Sequence, residues 1–69
     1  MTLIIGIDYG IARNDTPVFS VIKKQKDKII MIDSGEMEDF NYDKYVATEH
    51  QIIGDRKDVE LFKIQFLNR

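Results

Sequence analysis

Leu3-Ile4-Ile5-Gly6-Ile7-Asp8-Tyr9-Gly10, then Val18-Phe19-Ser20-Val21-Ile22-Lys23-Lys24, then Lys28-Ile29-Ile30-Met31-Ile32-Asp33-Ser34: these three runs decide the fold. Each is rich in β-branched and apolar residues and is bounded by turn-forming ones, the signature of a strand. Residues 10–17 hold Gly, Arg, Asn, Asp, Thr and Pro, a loop by composition. Pro17 is tolerated at the first position of the second strand. Gln25-Lys26-Asp27-Lys28 is a tight polar link, and so short a link joins antiparallel neighbours. The first connection is also too short for a crossover helix. The runs therefore predict a three-stranded antiparallel β-meander, with strands at about 2–9, 17–25 and 28–34, the last ending before Gly35.

The second half is less regular. Residues 36–43 are acidic with two aromatics, Phe40 and Tyr42, which suits an irregular segment pinned by side chains. Residues 45–53 fit a short strand or a helical turn. Residues 55–68 predict a C-terminal helix: Asp55 or Asp58 can cap it, acids lie in its first turn and Arg69 at its end. Val59, Phe62 and Phe66 share one helical face. The competing reading is a fourth strand over 59–67, with Phe62, Ile64 and Phe66 on one side. The expected class is α+β, one small domain over 1–69.

Composition narrows the possibilities. The 69 residues are 43% hydrophobic and 32% charged, with net charge −2. That is neither a disordered chain nor a strongly basic nucleic-acid binder. With no cysteine there is no disulfide or thiolate metal site, and His50 alone makes no histidine metal set. No apolar run approaches the roughly 20 residues that span a bilayer. The N-terminal stretch lacks the basic start and small-residue cleavage site of a signal peptide. The expectation is a cytoplasmic protein that does not engage membranes.

Alternation along the strands puts large apolar residues on both faces of the sheet. Leu3, Ile5, Ile7 and Tyr9 oppose Ile4, Gly6 and Asp8; Phe19 and Val21 oppose Val18, Ser20 and Ile22; Ile30 and Ile32 oppose Ile29 and Met31. One helix covers one face. A small chain stabilised by neither disulfide nor metal gains most from a second copy, so a homo-oligomer is expected. The alternative is that residues 36–54 fold back over the other face, using Phe40, Tyr42, Tyr45 and Val46.

Gly6-Ile7-Asp8-Tyr9-Gly10 is the sharpest local motif. It sets a carboxylate on an otherwise apolar strand, where an unpaired charge is costly, between glycines that allow a backbone or phosphate to approach closely. This motif, with the two meandering strands after it, resembles the opening of the ribonuclease-H-like superfamily, including resolvase-type nucleases, viral terminase nuclease domains and, more distantly, sugar-kinase-type ATPases. The resemblance covers about residues 3–35. It implies that Asp8 matches the first-strand aspartate that ligates catalytic magnesium in those nucleases. It also implies further acidic ligands from a later strand and a later helix. Asp33, Glu36, Asp55 and Asp58 are the recruits, and no spacing rule brings any of them to Asp8. The other expectation for Asp8 is a carboxylate paired with Arg13, Lys23 or a partner chain.

Tyr9, Gly10, Arg13, Asn14 and Thr16 extend the candidate binding site along the first loop, where Arg13 can grip a phosphate or carboxylate. No Gly-Lys-Ser/Thr ending makes it a P-loop. Lys23, Lys24, Lys26 and Lys28 cluster at the second hairpin, where edge lysines discourage strand addition. Asp33, Glu36, Glu38, Asp39 and Asp43, interleaved with Phe40, Tyr42 and Tyr45, form an acidic-aromatic stretch that could dock on a basic partner. His50 is expected at the surface or hydrogen-bonded. Nothing supplies a Ser/His/Asp or Cys/His set.

The leading expectation is a non-catalytic binding or inhibitor protein without cofactor, phage-encoded. It would act as a homo-oligomer that occupies a partner protein or sequesters a small anionic ligand. The first rival is a minimal ribonuclease-H-like nuclease, dependent on Mg2+ or Mn2+ held at Asp8, its site completed by another chain. The second is a structural or assembly subunit. Nucleic acid is a partner chiefly under the nuclease reading.

Overall fold

The computed structural model describes residues 2–11 and 13–67. The chain is α+β: a four-stranded mixed sheet with one C-terminal helix. β1 (Leu3–Asp8), β2 (Val18–Gln25) and β3 (Lys28–Glu36) form the antiparallel meander that the three runs predict. Gln25 pairs with Lys28 across a two-residue turn, in which Lys26 takes a positive φ of 50°. β3 runs past its expected end, through Gly35 to Glu36, because β2 is long enough to pair with it there: Phe19 faces Gly35 and Val18 faces Glu36. The Phe19 ring lies alongside Gly35.

A meander of three strands is too few. β4 (His50–Ile53) adds a fourth on the far side of β1 and runs parallel to it, giving the order β3-β2-β1-β4. Leu3 pairs with His50 and Ile5 with Ile52. The ambiguous stretch 45–53 is thus a turn followed by a strand. Residues 59–67 are helical and not a strand: α1 (Arg56–Phe62) continues as a π-helical turn over Lys63–Leu67. Asp55 holds the N-cap position, but its side chain makes no capping bond; its carbonyl accepts the Val59 N–H at 2.9 Å. Asn68, the predicted helix end, lies outside the described residues.

Residues 37–45 fold back over the sheet, but onto the same face as the helix and not the other, and Val46 stays exposed. Two 3-10 turns, Met37–Asp39 and Tyr42–Lys44, bring Met37, Phe40, Tyr42 and Tyr45 into one core with Leu3, Ile5, Ile7, Phe19, Val21 and Phe62. Phe40 sits at the centre. Its ring lies 4.7 Å from that of Phe19, 5.9 Å from Phe62, 6.0 Å from Tyr45 and 5.5 Å from Phe66. Polar tips are tied down: the Tyr45 hydroxyl donates to Asp33 Oδ2 at 2.6 Å. His50 Nδ1 lies 2.6 Å from the Thr48 carbonyl, which can only accept. The neutral ring therefore carries its proton on Nδ1, leaving Nε2 to accept from the Tyr42 hydroxyl at 2.7 Å.

Among the described residues no element covers the opposite face. Pairing aligns Ile4, Ile22 and Met31 across it, with Ile29, Val18 and Ile53 around them. Ile29 is 70% exposed, Met31 62% and Ile53 51%. β3 is open on both sides, since Ile30 and Ile32 are exposed as well. No helix among the described residues is long and apolar enough to cross a membrane.

Candidate functional site

Asp8 ends β1, and its carboxylate organises the loop after it. Oδ1 accepts the Gly10 N–H at 2.8 Å, an Asx-type turn. Oδ2 accepts from Arg13 Nη2 at 2.7 Å. Of the partners considered for Asp8, Arg13 is the one in place. Lys23 pairs with Leu3 at the other end of the strand and is out of reach. Gly10 turns the chain at φ 66°, and its carbonyl accepts the Asp15 N–H at 2.9 Å. A side chain there would run into the Asp15 carbonyl.

β4 runs parallel to β1, so the carboxyl ends of the two strands are neighbours. Open sheets with parallel strands place ligands in the crevice outside those ends. Here the crevice holds about 570 Å³ and is lined by Asp8, Gly10, Ile11 and Arg13 from the first loop and by residues 55–58 from the start of α1. Gly54 makes the approach possible, since a Cβ there would lie 2.7 Å from the Ile7 carbonyl oxygen. The fold thus gathers three carboxylates, Asp8, Asp55 and Asp58, and three cations, Arg13, Arg56 and Lys57, around one opening. Asp58 is buried in the first turn of α1. Burial, and then the charge of Asp58, push the Tyr9 phenol up; its hydroxyl donates to Gln65 Oε1 at 2.9 Å.

Asp55 and Asp58 were among the four recruits named for Asp8, with no spacing rule to bring them there; the parallel return of β4 does so, and brings neither Asp33 nor Glu36 to the crevice. Asn14 and Thr16 are exposed in the same loop and do not line the crevice. Phe40, Tyr42 and Tyr45, expected as anchors for a partner, are buried and spend their rings on one another.

A divalent cation needs several converging oxygens. The crevice has hard oxygen donors, but the set is not assembled. Both oxygens of Asp8 are engaged, and Asp8 belongs to no trio of converging ligands among the described residues. The trio that does converge, within 4.8 Å, is Glu36, Glu38 and Asp39, exposed at the end of β3. Among the described residues no donor set converges at Asp8.

The hairpin lysines lie elsewhere. Lys24 and Lys26 border a shallow, open depression with Thr2, Ile4 and Gln51. The outer margin of the sheet is therefore basic at the hairpin and acidic where β3 ends. Among known proteins, the chain matches no family model, no curated protein and no solved structure.

Proposed function

We propose that the chain is a non-catalytic binding protein that works as a homo-oligomer, with the outer half of its sheet as the contact surface between copies. One observation carries the reading: helix and aromatic segment cover the same face, so Ile29, Met31, Val18 and Ile53 stay exposed on the other. Apolar surface gathered in one patch is a contact site more often than an accident. At the rim of the crevice Arg56 and Lys57 are the groups that would meet an anionic part of a ligand or partner protein, Arg13 being held by Asp8. The test is native mass spectrometry of the particle as isolated, together with a pull-down. A multiple of the 8.1 kDa chain supports the reading, while a monomer retaining neither protein nor small molecule ends it.

A second reading is favoured by a separate observation. Asp55 follows β4, Asp58 lies in α1, and both share the crevice with Asp8. A later strand and a later helix are where the ribonuclease-H-like resemblance requires further acids. On this reading the chain contributes the acidic corner of a metal-dependent nuclease, and another chain supplies the missing oxygen ligands. Cleavage of DNA or RNA that requires Mg2+ or Mn2+ and disappears in Asp8→Asn supports it; purified protein without such cleavage, alone or with its co-isolated partners, removes it.

A further inference from the structure

We propose that two copies join edge to edge, β3 pairing antiparallel with β3 of a second copy about a two-fold axis through Ile32, so that two four-stranded sheets become one. This rests on the homo-oligomeric reading and names the surface that makes the contact.

Three observations lead to it. β3 is an edge strand, bonded on one side only, to β2. Its nine residues span about 30 Å at ~3.4 Å each, a long row of outward backbone donors and acceptors. All of them but Asp33 are exposed, including four consecutive large apolar residues from Ile29 to Ile32. A long, exposed apolar edge is a template for another strand.

Charge then fixes the direction. Lys26 and Lys28 stand at the start of this edge, and Glu36, Glu38 and Asp39 at its end. Parallel pairing of two copies would stack lysine beside lysine and acid beside acid. Antiparallel pairing sets each basic end against an acidic one. With Ile32 opposite Ile32, Lys28 of each chain faces Glu36 of the other, so the complementary pair occurs twice. The register is limited by a bulge. Val21 pairs with Asp33 and Ile22 with Met31, which leaves Ile32 without a partner on β2. Bulges keep edges from pairing indiscriminately. The two-fold axis through Ile32 brings the two irregularities together rather than setting each against a regular stretch.

Charge reversal tests this on the intact chain. Both side chains are exposed, so neither Lys28→Glu nor Glu36→Lys disturbs the core. Each single reversal makes two repulsive pairs per dimer and should raise the dimer dissociation constant by about tenfold or more. The double variant, Lys28→Glu with Glu36→Lys, restores opposite charges and should return the constant to near that of the original chain. Circular dichroism verifies folding of each variant, and sedimentation equilibrium reads the mass. Rescue by the double variant supports the edge pairing. An oligomer indifferent to all three changes overturns it while leaving the homo-oligomeric reading standing, with the uncovered sheet face as its contact. A monomeric original chain, or one that pairs only with a different protein, overturns both.

Discussion

Replacing Phe40 with leucine tests which face of the sheet is covered. Phe40 is buried and touches the rings of Phe19, Tyr42, Tyr45, Phe62 and Phe66. Leucine keeps most of the apolar area but loses these ring contacts, each worth about 0.5–1.5 kcal/mol beyond area and not fully additive. A loss of about 2 kcal/mol is expected, well below the ~3–5 kcal/mol of a full truncation to alanine. Against a total of about 3–10 kcal/mol for a chain this size, the urea midpoint should fall clearly. The control is Ile29→Ser on the other face. Ile29 is 70% exposed, and its removal should cost under about 0.5 kcal/mol in the dissociated chain. Urea titrations at low protein concentration, followed by circular dichroism, measure both. If the two variants lose equal stability, or Ile29→Ser loses more, the assignment of covered and uncovered faces is wrong.

Gly54→Ala should cost about 1–3 kcal/mol, because its Cβ would lie 2.7 Å from the Ile7 carbonyl and push α1 away from β1; a thermal melt unchanged by the substitution would refute that contact. Burial, with the hydrogen bond to and charge of Asp33, pushes the Tyr45 phenol up to about 12. The native chain therefore keeps a proton that the unfolded chain releases near the ordinary value of 10.0, so this contribution to stability is intact below pH 10.0 and lost as pH rises toward about 12. Tyr9 is raised as well, so phenolate absorbance should show late-titrating tyrosine of which one component moves to lower pH in Asp33→Asn; no movement would sever the link to Asp33. Asp8→Asn keeps an acceptor for the Gly10 N–H and loses only a charge pair whose side chains are 43% and 70% exposed. It should cost no more than about 1 kcal/mol in a urea titration, and a larger loss would mean Asp8 holds more than its loop.

The meander was legible because alternation and a tight turn are local signals, and 19, 21, 29 and 31 fall on the faces their parity predicts. The helix was legible from its acids and its Val59, Phe62, Phe66 face. β4 was not. It is four residues long and pairs parallel with a strand more than forty positions earlier, and nothing local encodes that. The crevice was hidden for the same reason, since Asp55 and Asp58 reach Asp8 only through β4. Gly54 was the one available signal, a glycine where two backbones meet. Parity showed that both faces are apolar, but it could not tell which one residues 36–54 would cover. The aromatics Phe40, Tyr42 and Tyr45 read as anchors because of the acids between them. The 3-10 turns instead aim the rings inward and the acids outward.

Amide hydrogen exchange across residues 28–36, measured over a dilution series, tests the central claim most directly. If the outer half of the sheet is the contact between copies, these amides are protected at high concentration and lose protection as the particle dissociates, while Ile5 and Val21 stay protected throughout. Exchange in 28–36 that is independent of concentration would contradict the account.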